Sequence, residues 1–324
     1  MSFERPRGIP LVDVTRGDRI ESVHAIAACC ADACGRVSFA VGDIEAPVYL
    51  RSAAKPFIAA AVVAAGAIER FGITTHELAL MCASHEGEAF HIEAARSILA
   101  KIGLDETYLK CGGEPSALHN NCSGKHAGIL ALCSVLGADV ETYLEPSNAA
   151  QHAILEMCAR ATGDPAQSER LAIDGCGIPV FATSLRHGAT AFARLVTLEQ
   201  LCDADAAAFE RVRDAMLAYP EYVAGTTRFD TALMRAARGN VVSKGGAEGV
   251  HGDGIVDGAA GFMLKVIDGN RRATAPAVVT LLRYLRAIED DAVAALQSFG
   301  EPEVTNVAGR VVGRIIARAP LSVT

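Results

Sequence analysis

Tryptophan is absent from this 324-residue chain, and aromatic residues together make up only 5% of it. The core must therefore be built from aliphatic side chains and alanine. No basic stripe carries the interleaved aromatics on which a nucleic acid strand would stack. The formal net charge of −8 also argues against a polyanionic partner. Long hydrophobic runs are missing too. The most apolar stretch, Ile58 to Ile68, is closed off by Lys55 and by Glu69-Arg70 and is too short to cross hydrocarbon. Disorder is excluded, because 51% of the residues are hydrophobic and only 21% are charged. Met1 to Asp13 holds charges and prolines where a signal peptide needs an apolar stretch, so the expectation is a cytoplasmic protein with no membrane or nucleic acid partner.

Ten cysteines are present, but no C-x-x-C pair, which disfavours a zinc ribbon or a thioredoxin-like site. In a chain of this length most are expected to be reduced, buried, small hydrophobes. Lysine is scarce, with only six residues, and arginine carries most of the positive charge. No glycine-rich strand-to-helix turn marks a dinucleotide site.

Strand patterns occur at both ends of the chain and helical patterns between them. Ser22 to Ala40 reads as strand, turn, strand, with Ala31 to Gly35 as the connection, and Val48 to Leu50 reads as a short third strand. Helices are expected at Ser52–Gly66, His76–Ala83 with a Thr74/Glu77 capping box, Glu88–Ile102, Gly124–Leu136, Ser147–Ala161, Thr197–Ala218 and Thr231–Ala237. Strands return at Asn240–Ser243, Gly261–Ile267 and Gly309–Ile316, with a helix at Ala275–Gln297 before the last. The expected fold is α+β: one domain over 1–324, whose antiparallel sheet draws on about 20–50 and 240–320 around an inserted helical block at about 52–237.

Four segments combine residue types that carry chemistry. In Arg51-Ser-Ala-Ala-Lys-Pro56, Ser52 and Lys55 fall on one side of a helix start. A neutral lysine amine there would take the proton from a hydroxyl that is otherwise a poor nucleophile. The bland alternative is an N-capping serine and a snorkelling lysine. Met81-Cys-Ala-Ser-His-Glu86 follows an apolar helix and projects reactive types from a loop, or simply ends that helix with a histidine. Asn120-Asn-Cys-Ser-Gly-Lys-His126 sets a thiol, a hydroxyl, an amine and an imidazole close together. Its lysine lacks the flanking residues of a phosphate loop. Cys122 could join Cys176 of Asp174-Gly-Cys-Gly-Ile-Pro179 as a ligand of Zn²⁺, though spacing alone favours two buried inert thiols. Val241-Val-Ser-Lys-Gly-Gly246 puts Lys244 at a strand end beside glycines, which suits close approach of a substrate or the protection of a sheet edge.

Taken in order, these segments resemble the rhizobial-type (class 3) L-asparaginases, of the serine β-lactamase/glutaminase-like superfamily. The matching stretches are Arg51–Pro56, Leu80-Met-Cys-Ala-Ser-His85, Cys111-Gly-Gly113, Asn121-Cys-Ser-Gly-Lys-His126, Asp174-Gly-Cys176 and Ser243-Lys-Gly245. Weaker similarity extends to Pro220–Gly225 and Arg228-Phe-Asp230. The resemblance implies a serine β-lactamase-like fold and hydrolysis of the side-chain amide of L-asparagine to aspartate and ammonia. It implies two Ser–Lys pairs, with Ser52 as nucleophile and Lys55 as its base, and with Ser84 and Lys244 relaying protons. It implies a zinc site of Cys122, Lys125 and Cys176, a substrate region including Arg51, Asn121, His126 and Asp174, and a homodimer. The segment between Cys111-Gly-Gly113 and Cys122 is shorter than the family pattern, and His119-Asn120 departs from it, which bears on substrate preference. Alternatives are another serine acyl-enzyme hydrolase (glutaminase or β-lactamase-like) or a non-catalytic protein that binds zinc or an amino acid. The β-lactamase reading is disfavoured by the lack of an S-D-N element and by Gly-Gly, not Thr-Gly, after Lys244.

Overall fold

The computed structural model describes residues 6–165 and 170–320; the remaining residues of the expected 1–324 domain lie outside the described ones. The strands are β1 (Ile9–Arg16), β2 (Arg19–Ala31), β3 (Val37–Val41), β4 (Val48–Tyr49), β5 (Leu171–Ile173), β6 (Pro179–Thr183), β7 (Val241–Gly245), β8 (Val250–Ile255), β9 (Ala260–Val266), β10 (Glu303–Thr305) and β11 (Val311–Ala317). Eight of them form one sheet in the order β10-β11-β1-β2-β9-β8-β7, with β3 also pairing β2. Every pairing is antiparallel. The two chain ends thus build the sheet and the residues between supply the helices, as the α+β expectation required.

The long strand β2 shows how the sequence achieves this. Its run Ile26-Ala-Ala-Cys-Cys-Ala31 is apolar throughout because both faces of the sheet are covered. Ala27, Cys29 and Ala31 pack into the core shared with the helical block, while Ile26, Ala28 and Cys30 pack into a second core on the opposite face. Successive residues point to opposite faces, so the adjacent Cys29 and Cys30 serve different cores. Burial pushes both thiols up, as expected of inert small hydrophobes. All ten cysteines are free, and only Cys34 and Cys202 are exposed.

The second core is closed by the helix Thr274–Tyr284 and its successors Asp290–Ala295 and Gln297–Gly300. One long helix over Ala275–Gln297 is therefore replaced by three shorter ones. The first core is closed by Lys55–Ala64, Ser123–Leu136, Ala149–Thr162 and Leu185–Thr197, among others. The helix Leu185–Thr197 has no counterpart in the sequence-based reading, and the expected Thr197–Ala218 helix begins only at Asp203. Leu185–Thr197 lies against β8 and β9 at very close range, because glycine lines the contact. A Cβ on Gly261 would sit 1.9 Å from Ala189 O, and one on Gly252 would sit 2.1 Å from the Phe192 ring.

Val48-Tyr49 does form a strand, but it joins a separate three-stranded sheet, β4-β6-β5, rather than the main one. Strands β1, β5, β6, β8 and β10 also went unread in the sequence. The small sheet helps to build the site, since the β5–β6 hairpin carries Asp174 and Cys176 at its tip. Its turn is closed by Asp174 N–H to Ile178 O at 2.9 Å and by Gly177 N–H to Asp174 O at 2.9 Å.

Candidate functional site

Chain reversals at four places bring the chemistry-bearing segments together. Residues Arg51–Ala54 form a 3₁₀ turn ahead of the helix Lys55–Ala64, and Pro56 sits in the first turn of that helix, where no donor is lost. Arg51 itself lies in the left-handed region at φ 51°, a costly conformation for an arginine. It is held there by its guanidinium, whose Nε donates to Asp174 Oδ1 at 2.7 Å. The capping box of Thr74 and Glu77 starts the helix Thr75–Met81, which ends in the loop bearing Ser84 and His85. Asn121 and Cys122 precede the helix Ser123–Leu136, and Lys244 stands near the end of β7.

Ser84 is the hub. Its Oγ lies 3.0 Å from Lys55 Nζ and 3.0 Å from Lys244 Nζ, so two buried amines from distant segments converge on one hydroxyl. Lys55 also donates to Ala83 O and, at 3.4 Å, to Asn121 O; Lys244 donates to Gly245 O at 2.6 Å. Among the described residues Ser52 Oγ has no hydrogen-bond partner, and Lys55 turns away from it toward Ser84. Ser52, Ser84 and Asn121 line a cavity of about 200 Å³ together with Arg228, Asp230 and His251. On its other side Ser52 lines a pocket of about 20 Å³ with Arg51, Lys55, Lys125 and Asp174, space for a single water.

Burial in apolar surroundings drives both hub lysines toward the neutral form. The Lys244 amine, 0% exposed, is pushed down to about 8 by desolvation, against the pull of Asp230, whose Oδ2 lies 3.8 Å away. Lys55, 1% exposed, is likewise lowered by desolvation, partly offset by the Cys122 thiol. Burial alone would raise the Asp230 carboxyl, but Lys244, His251 and the Gly245 N–H at 2.8 Å hold it below the usual range. His85 stays neutral, lowered to about 3 by burial and by its neighbours His91 and Lys55. Its Nδ1 accepts from Gly87 N–H at 3.0 Å, so Nε2 carries the proton toward Ser123 Oγ at 2.9 Å.

A second cluster adjoins the first through Lys55. The neighbouring Cys176, together with the charges of Lys55 and Lys125, drives the Cys122 thiol down against its burial. Lys125 Nζ, on a side chain 2% exposed, lies 2.8 Å from Cys176 Sγ. Burial would lower Lys125, but the two thiols and Asp174 raise it instead. Two thiols and an amine are a donor set that zinc accepts once they are deprotonated, so the residues fit the ion by chemistry. Among the described residues no group of three or more His, Cys, Asp and Glu is placed to hold a metal, so a zinc here depends on Lys125.

Arg51 and Asp174 stand together on the small-pocket side. His126 is buried away from the cavity lining, with Nδ1 2.7 Å from Tyr143 Oη and Nε2 unpartnered among the described residues. Asp230, Arg228 and His251 were not identified as site residues from the sequence. Arg228-Phe-Asp230 stood in the weaker stretch of the family resemblance, whereas His251 lay in a short strand with no motif.

The family described as L-asparaginase II matches residues 12–317. No curated protein matches the chain. Among solved structures, it is similar to Mglu in its native form in the presence of 4.3M NaCl, at 15% identity and a TM-score of 0.40, and to Mglu in its glutamate form, at 14% and 0.38. Each alignment covers 81% of this chain and 61% of the other, so the chain spans about three fifths of the length of those structures. No helix among the described residues is long and apolar enough to cross a membrane.

Proposed function

The chain belongs to the L-asparaginase II family, and on that premise we propose that it hydrolyses the side-chain amide of L-asparagine to aspartate and ammonia. The observation that carries the chemistry is the Ser84 hydroxyl held between two buried lysines on the wall of a cavity that Ser52 also lines. Desolvation lowers both of these amines, which favours the unprotonated form that a hydroxyl nucleophile needs beside it.

In this reading Ser52 Oγ, without a hydrogen-bond partner among the described residues and open to the cavity, attacks the amide carbon. Its proton passes to the Ser84–lysine hub. The carbon–nitrogen bond breaks as the leaving nitrogen takes a proton back from that hub, and ammonia departs. Water then attacks the acyl-serine, the ester bond breaks, and aspartate leaves with the serine hydroxyl restored. Asp230 orients Lys244 through the Gly245 N–H and its own charge. Cys122, Lys125 and Cys176 would hold Zn²⁺, which when bound supplies a fixed positive charge that orients the substrate. Lys125 must shed its proton to bind, so zinc affinity would fall as pH drops.

A second reading makes Ser84 the nucleophile, because it and not Ser52 lies within hydrogen-bond reach of a lysine. Ammonia release from Asn and from Gln, with and without Zn²⁺, tests the activity, and peptide mapping of the acyl-enzyme by mass spectrometry separates the two serines. The acyl mass on the Ser52 peptide, and loss of turnover in a folded Ser52→Ala variant, are the expected results. The adduct on Ser84 would install the second reading. Turnover of neither amide would remove the function.

A further inference from the structure

The floor of the cavity holds a polar group that the Ser–Lys reading leaves unused. Strands β7 and β8 pair with Ser243 opposite Asp253 and Gly245 opposite His251. His251 Nε2 lies 3.0 Å from Asp253 Oδ1 and 3.0 Å from Ser243 Oγ. All three residues are 1% exposed or less, and Asp253 Oδ2 is a buried carboxylate oxygen without a partner among the described residues. A carboxylate in that setting is tolerable only beside a cation, and the imidazolium of His251 is the group at hand. The other ring nitrogen faces the catalytic side. A Cβ on Gly245 would lie 3.2 Å from Asp230 Oδ1 and 3.5 Å from His251 Nδ1, so both groups converge on the residue next to Lys244.

We propose that His251 is a positioning residue: kept cationic by Asp253, it opposes the Asp230 carboxylate and so leaves Lys244 free to give up its proton. Signs alternate along this line, from Lys244 through Asp230 and His251 to Asp253. Without the imidazolium, Asp230 would keep only Arg228 and the Gly245 N–H besides Lys244, and would hold the lysine more strongly as a buried ammonium. The other groups around Lys244 are Lys55, the Cys122 thiol and Arg228, with Ser84 Oγ in contact. Around His251 they are Asp253, Asp230 and Lys244, with Ser243 in contact; the cavity it lines adds His85, Arg228, Arg271 and Thr274, and its apolar neighbours include Phe229 and, on β9, Leu264. Consistent with this, Asp253 raises the imidazole against its desolvation, and His251 in turn lowers Asp230.

The inference rests on the reading of Lys244 as a proton-transfer group, and its test is chosen to stand apart from turnover. NMR of protein labelled at lysine ¹³Cε, with Lys244→Met for assignment, follows the Lys244 titration directly. His251→Gln and the nearly isosteric Asp253→Asn should each move that midpoint upward by roughly one pH unit. His251→Lys, which restores a cation, should bring it back toward wild type. In the active enzyme the rising limb of kcat should follow the midpoint while KM stays in place, and the double variant His251→Gln/Asp253→Asn should shift no further than His251→Gln. An unmoved titration in both single variants overturns the inference, as does an additive double variant. If the wild type hydrolyses neither amide, the function fails, and the titration still decides this inference by itself.

Discussion

Lys244 and Lys125 are equally buried and titrate in opposite directions. Lys244 is 0% exposed and Lys125 2%, yet the first is pushed down to about 8 and the second is raised. Desolvation is the leading influence on both, so the difference lies in the neighbours. Lys244 faces one carboxylate at 3.8 Å and shares its surroundings with Lys55 and Arg228, which repel it. Lys125 faces two thiols, one of them at 2.8 Å, and the Asp174 carboxylate. Burial makes a lysine costly; the charges around it decide whether it escapes by losing its proton or by keeping a partner. The first outcome favours a neutral amine, the second an ammonium held among thiols.

The largest effect expected from this contrast comes from removing each amine in turn. Lys244→Met should lower kcat by about 10²–10⁴-fold, the usual size of a lost proton-transfer group. Lys125→Met should act mainly through zinc content and KM. Steady-state ammonia release with metal analysis checks both, and equal losses of kcat would erase the distinction between the two lysines. The pH profile sharpens it. Activity that needs neutral Lys244 rises with pH through about 8. Asp230 favours the ammonium, so Asp230→Asn should move that limb to lower pH by roughly one unit, the reverse of His251→Gln. A limb that moves upward in Asp230→Asn would show that another group governs the profile. The smallest effect is expected at the thiol end. Cys122→Ala/Cys176→Ala should abolish zinc binding, read by calorimetry, and raise KM while kcat falls by no more than about tenfold, within the range for groups that orient rather than react. A complete loss of kcat would move the thiols into the reaction itself.

Much of the fold was legible because its signals are local. The apolar run of β2, the Thr74/Glu77 capping box, and the glycine after the helix Ala89–Lys101 each state their structure within a few residues. The helix Leu185–Thr197 was missed although its signals are local as well, with Ser184 capping His187 N–H at its start; what lay far along the chain was its seat on Gly252 and Gly261. The short strands β5 and β6 also hid, because three to five residues carry little periodicity. In the site, the spacing of Ser52 and Lys55 promised a contact. Instead, Lys55 finds two carbonyls and the Ser84 hydroxyl on other segments, and those partners outweigh its sequence neighbour. His251 and Asp253 were not read at all, because the strand that carries them, buried along its length, was itself missed.

The sequence by itself determined which residue types were available, the order in which they occur, and the α+β class, because periodicity and capping are properties of neighbours along the chain. The tertiary structure brings Lys244 to Ser84 across 160 residues and Lys125 to Cys176 across 51, pairings the sequence reached only through a family resemblance, and it alone decided that Asp230 and His251 converge beside the first of these contacts. Proton affinities inside a protein are set by charges a few ångströms away in space, and no local pattern encodes those distances.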